Sequence, residues 1–151
     1  MPNLDDIDKA IVNRIQSEFP ITSRPYLAVA EELNLTEKEV LDRVACLKNN
    51  GIIRRIGGNF VPGKLGFVST LCAARVPADK IEEFAAIVNR YPGVTHNYQR
   101  DNRYNVWFTF ISPSMDEIEA NLKKIAEESG VNDILNLPAT KVFKIKAQFD
   151  V

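Results

Sequence analysis

Residues 93–110 read GVTHNYQRDNRYNVWFTF, two runs rich in β-branched and aromatic residues with a polar break between them. The break is too short for a helix, so the runs predict consecutive strands at 94–100 and 104–112. On either side the apolar spacing changes to that of a helix. Ile81, Phe84 and Val88 predict a helix over 78–90, and Ile118, Leu122 and Ile125 another over 115–129. With outer strands at 67–76 and about 134–147 the order becomes βαββαβ, the ferredoxin-like arrangement. Such a sheet carries its helices on one face, so a second subunit is expected to cover the other.

Working toward the N-terminus, the pattern is helical. Leu4, Ile7, Ile11 and Ile15 predict a helix from about residue 5 to 18, closed by Phe19–Pro20. Pro25 suits a first helical turn, followed by the apolar residues Leu27, Ala30 and Leu33. The segment LTEKE sets Thr36 as N-cap with Glu39 three residues on, and Val40, Val44 and Leu47 continue as a buried stripe until Gly51. Three short helices with a tight turn read as a helix-turn-helix. The segment IIRRIGGNFV then predicts a β-hairpin wing. The fold class is α+β, with a winged helix-turn-helix domain over 1–62 and a ferredoxin-like domain over 63–151.

Composition narrows the function. The chain has 151 residues, is 45% hydrophobic and carries a net charge of −1. No run approaches the roughly 20 apolar residues that span a bilayer, and the start MPNLDDIDKA is acidic where a secretory signal is basic, so a cytoplasmic location without membrane contact is expected. Cys46 and Cys72 lack metal-ligand spacing and are expected to be buried apolar residues.

Residues 1–42 hold nine acids against four bases, whereas 43–78 hold Arg43, Lys48, Arg54, Arg55, Lys64 and Arg75 and no acid. An anion should prefer the second segment. The reading end of the third helix carries Glu37, Lys38, Glu39 and Asp42, which forfeits the phosphate contacts on which DNA affinity rests, so DNA binding is not expected.

The strand at 94–100 gathers the only histidine of the chain with a phenol and a guanidinium. In a regular strand Val94, His96, Tyr98 and Arg100 share one face and Thr95, Asn97 and Gln99 the other. His96 to Arg100 then spans roughly 13 Å at about 3.3 Å per residue. Arg54, Arg55, Lys64, Arg100 and Arg103 are candidate carboxylate clamps, since guanidinium meets carboxylate in a two-pronged fork. Arg54 and Arg55 are adjacent and would face opposite sides of a strand. Tyr98 and Trp107 suit either an aromatic wall or a sheet face covered by a partner. Histidine, which titrates near neutrality, suits a general acid.

The helix-turn-helix followed by βαββαβ resembles the Lrp/AsnC regulators over nearly the whole chain. IIRRIGGNFVPGKLGF, followed by GVTHNYQRDNRYNVWFTF, is similar to a branch of that fold, the siroheme decarboxylases of an alternative haem pathway. That resemblance implies removal of carbon dioxide from the C12 and C18 acetates of siroheme, giving 12,18-didecarboxysiroheme. It also implies paired related subunits and no added cofactor, the iron tetrapyrrole being substrate.

On this reading His96, Tyr98 and Arg100 are the catalytic candidates, and Arg54, Arg55, Lys64, Arg103 and Trp107 bind the substrate. His96 also suits axial ligation of the substrate iron, a role the sequence does not separate from proton donation. Some members of the family carry a second histidine just after the HNY strand, where this chain has Asp101–Asn102; with the work divided between two subunits, that departure would make this chain the less catalytic partner. The other readings of the same fold are a transcriptional regulator and a haem sensor without turnover.

Overall fold

The computed structural model describes residues 4–58 and 60–144. The chain divides into two compact units after Gly58, the second ending at Phe143. In the first, α1 spans Asp6–Ser17, α2 Pro25–Leu33 and α3 Glu37–Asn49. Asp5 caps α1 by accepting from the Asp8 amide, and Pro25 sits in the first turn of α2. Thr36 and Glu39 form the reciprocal capping box expected of them. Those hydrogen bonds, donated by Thr36 backbone and hydroxyl, hold the Glu39 carboxyl below its ordinary range. Substituting Thr36→Ala is expected to lower the stability of this unit by about 1 kcal/mol, read as a smaller denaturation midpoint with an unchanged slope.

The core of the unit joins Ile11, Val29, Ala30, Val40 and Val44, with Ile15, Leu33 and Ile53 packed against it. Val29 rather than Leu27 supplies the buried residue of α2 beside Ala30. Cys46 corrects its expectation: it is exposed, because it falls off the stripe formed by Val40, Val44 and Leu47.

The wing also needs correction. Among the described residues of 52–61 there is no strand, and Asn59 lies outside the description. The amides of Ile52 and Ile53 both donate to the Leu47 carbonyl, closing α3, and Ile53 turns its side chain onto the helices. Backbone groups used for the helix end cannot also build a ladder.

The second unit has β1 at Val68–Ala74, α4 at Ile81–Asn89, β2 at Val94–Gln99, β3 at Val106–Ser112, α5 at Met115–Ser129 and β4 at Ile134–Leu137. The strands form one antiparallel sheet in the order β2-β3-β1-β4, the ferredoxin-like topology. The last strand is shorter than expected: residues 138–144 are not strand, and 145–147 lie outside the described residues.

Phe84, Ile87 and Val88 of α4 and Ile118, Leu122 and Ile125 of α5 share one core with Cys72, Ala74, Val106, Phe108 and Phe110 of the sheet. Burial lifts the Cys72 thiol to about 12. Both helices therefore cover the same face. Along β3, buried and half-buried residues alternate, which leaves Trp107, Thr109 and Ile111 on the opposite face. Register adds Leu71 and Ala73 of β1, and Leu135 and Leu137 of β4, to that open face. Leu71 and Leu137 pair across the ladder and are each 40% exposed.

Candidate active site

The chemistry of the open face gathers at its β2 edge. Val94 pairs with Phe110, but the next pair is His96 with Thr109, so Thr95 is an extra residue bulged out of the ladder. This corrects the expectation that Val94 shares a face with His96. Val94 packs into the helix-side core and Asn97 reaches Asn89 of α4, while His96 and Tyr98 stand opposite Thr109 and Trp107 on the open side. The bulge satisfies two demands that a regular strand cannot meet together, burying an apolar Val94 and exposing His96 two residues later.

Around His96 the side chains touch one another. Its ring lies 5.9 Å from that of Tyr98, nearly parallel at 27°. Nδ1 is 3.1 Å from the Thr95 hydroxyl and 3.2 Å from that of Thr109, and the two hydroxyls are 2.7 Å apart. Neither threonine was singled out as functional from sequence; a threonine on a strand carries no signal of such a role, and a bulge has no signature in VTHNYQ. Tyr98, half exposed at 50%, forms an aromatic surface beside the imidazole.

Next along the strand, the Arg100 guanidinium lies 5.5 Å from the centre of the Trp107 ring. A cation–π contact of this kind holds the guanidinium beside the indole while its N–H groups stay available for an anion. Trp107 is itself anchored by Nε1 donating to the Tyr104 carbonyl at 2.6 Å, and the Tyr104 hydroxyl donates to Asp133 at 3.0 Å. Arg103 lies over the Tyr104 ring, 5.7 Å from its centre. The second unit thus brings His96, Tyr98, Arg100 and Trp107 onto one face, with Arg103 in the turn that follows β2. Lys64 is exposed on a 3₁₀ turn at Pro62–Leu65, ahead of β1.

Arg54 and Arg55 belong to the first unit. The whole non-strand segment 52–58, the two arginines included, lines one groove of about 970 Å³ together with Ile15 and Phe19. Arg55 is steadied by donating to the Gly58 carbonyl at 3.3 Å. The carboxylates of α3 are mostly engaged: Glu37 pairs with Arg24, Glu39 caps the helix, and Asp42 accepts from Lys38 at 2.6 Å. No cluster of metal-ligating side chains occurs among the described residues, nor any helix long and apolar enough to cross a membrane.

A helix-turn-helix unit and a four-stranded sheet with both helices on one face define an Lrp/AsnC-like protein. The leucine response regulatory protein LrpA of Mycobacterium tuberculosis has this fold, with a TM-score of 0.82 over 98% of this chain and 100% of that one, at 19% identity. Residues 64–144 match the model of an AsnC-like ligand binding domain, and residues 8–54 that of a siroheme decarboxylase NirDL-like HTH domain. The siroheme decarboxylase alpha subunit of Desulfovibrio desulfuricans is 54% identical over 149 residues, which cover 99% of this chain and 86% of that protein. The crystal structure of siroheme decarboxylase NirDL in co-complex with an iron-uroporphyrin III analogue is 33% identical, with a TM-score of 0.69 over 96% of this chain and 48% of that one. The chain belongs to the siroheme decarboxylase family.

Proposed function

We propose that this chain is a siroheme decarboxylase subunit that removes carbon dioxide from the C12 and C18 acetates of siroheme. The observation that carries the reading is the open-face cluster of His96, Tyr98, Trp107 and Arg100, in a chain whose relatives at 50–54% identity are siroheme decarboxylase alpha subunits. A flat tetrapyrrole edged by carboxylates needs what this face offers: ring-sized aromatic surface, a guanidinium held against an indole, and an imidazole beside them.

In the reaction the bond between the acetate methylene and its carboxyl carbon breaks. The electron pair passes into the conjugated macrocycle, carbon dioxide leaves, and the methylene takes up a proton to become methyl. His96 supplies that proton, with Tyr98 as the second donor of the cluster. Arg100 holds a carboxylate that stays, aided by Arg103 and Lys64. His96 Nε2 also suits the substrate iron, and the absorption spectrum of the complex distinguishes ligation from proton donation. No organic cofactor is needed for this sequence of steps.

The partner is a related subunit, seated on the open sheet face where Leu71 and Leu137 are bare. The helical unit serves packing rather than operator reading, because the Lys38 charge at its reading end is matched by Asp42 and so is less available to phosphate.

The deciding measurement is anaerobic incubation of siroheme with the purified chain, alone and with a related partner subunit, followed by mass spectrometry. Loss of two carbon dioxide molecules is expected. A substrate that keeps all its carboxyl groups in both mixtures would overturn the reading.

A further inference from the structure

The triangle of Thr95 Oγ1, Thr109 Oγ1 and His96 Nδ1 contains more information than three hydrogen bonds. Its sides are 2.7, 3.1 and 3.2 Å, so all three atoms are in mutual contact. Each hydroxyl owns one proton. If Nδ1 is bare, only the two hydroxyl protons serve three contacts, so one side of the triangle either lacks a proton or shares a bent one with the 2.7 Å side. If Nδ1 carries a proton, that N–H can be shared between the two oxygens, one hydroxyl proton closes the side between them, and every contact is attractive.

We infer that Thr95 and Thr109 are positioning residues that hold neutral His96 as its Nδ1–H tautomer, leaving Nε2 as the nitrogen that exchanges a proton with the substrate or meets its iron. The inference rests on the functional reading above only for what Nε2 then does. The tautomer itself is a property of the free protein. The same triangle keeps its Nδ1–H bonds when the ring is protonated, so Nε2 can release and regain its proton without any rearrangement within the strand.

Tyr98 completes the arrangement. Its ring stacks on the imidazole, limiting tilt, while the threonines set rotation in the plane. Because Thr95 is the bulged residue, its hydroxyl reaches the same side as His96, which the alternation of a regular strand would forbid. The bulge therefore performs two tasks: it turns His96 outward and supplies one of the two oxygens that orient it.

His96 is the only histidine of the chain, so nitrogen-15 labelling of histidine in the full-length, tag-free protein gives an imidazole signal with no overlap. At a pH where the ring is neutral, long-range proton–nitrogen correlations assign which nitrogen bears hydrogen. The wild type is expected to show the proton on Nδ1. Thr109→Val keeps the shape and strand preference of threonine without its hydroxyl. It should move the population toward Nε2–H by roughly threefold to tenfold, the worth of about one net hydrogen bond. Thr109→Ser should restore the wild-type ratio, and Thr95→Val should shift it in the same direction as Thr109→Val.

A wild-type ring protonated on Nε2, or a ratio unmoved in both valine variants, would overturn the inference. The outcome does not depend on turnover: a protein that shows the tautomer shift and leaves siroheme unchanged refutes the proposed reaction while retaining the positioning role. Lower turnover in Thr109→Val with an unmoved tautomer refutes the positioning role instead.

Discussion

His96→Ala is expected to reduce siroheme decarboxylation by about 10² to 10⁴ in kcat while leaving the fold intact, the usual loss for removal of a general acid. The fold should survive because His96 is exposed on the open face and contributes nothing to the core between sheet and helices. Its contacts are with Thr95, Thr109 and Tyr98, all on the same surface. Arg100→Ala provides the contrast. Loss of one charge-assisted hydrogen bond to a carboxylate costs on the order of 1.5–3 kcal/mol, and it should fall chiefly on KM if that carboxylate is held equally before and during reaction. Should His96 ligate the substrate iron, the alanine variant will also change the absorption of the bound complex. A variant that turns over at the wild-type rate, with either subunit arrangement, would move the catalytic role to the partner chain.

Gly93→Ala should be the most destabilising single methyl in the second unit. A Cβ at this position would collide with the Ile111 carbonyl oxygen and stand 2.8 Å from Cε1 of Phe110. Neither neighbour can yield cheaply. The Gly93 carbonyl accepts from the Ile111 amide at 2.8 Å, which ties the start of β2 to β3, and Phe110 is buried in contact with Tyr91. Overpacking of this kind typically costs about 1–3 kcal/mol and sometimes more; backbone as the colliding group places this site at the upper end. Denaturant unfolding of the purified chain measures it. Because relief requires β2 to lift from β3 just ahead of the bulge, siroheme turnover should fall together with stability. An unchanged midpoint would mean that the strand has room here and that the close approach is not structural.

Much of this molecule was legible in one dimension. The capping box at Thr36 and Glu39, the proline in the first turn of α2, and the apolar stripes of α4 and α5 are local patterns whose physics is complete within a few residues. They were sufficient to order the elements as a helix-turn-helix followed by βαββαβ, and that order leaves one sheet face without helices. The residue types of the candidate site were visible too, since a lone histidine among arginines and aromatics stands out in any strand.

What the sequence could not determine is where a strand departs from its period. Strict alternation puts Val94 and His96 on one face. Thr95, bulged between them, places one in the core and the other on the open surface, and no property of VTHNYQ announces the extra residue. Likewise IIRRIGG has the composition of a strand, yet the Leu47 carbonyl at the end of α3 draws in the Ile52 and Ile53 amides, and Arg54 and Arg55 come to line the same groove. In both places the outcome belongs to groups distant in sequence or to a backbone acceptor already in place. Helices and caps close their hydrogen bonds within a few residues and so are determined by the sequence around them; a bulge is decided by the strand that pairs with it, and only the folded chain brings that strand alongside.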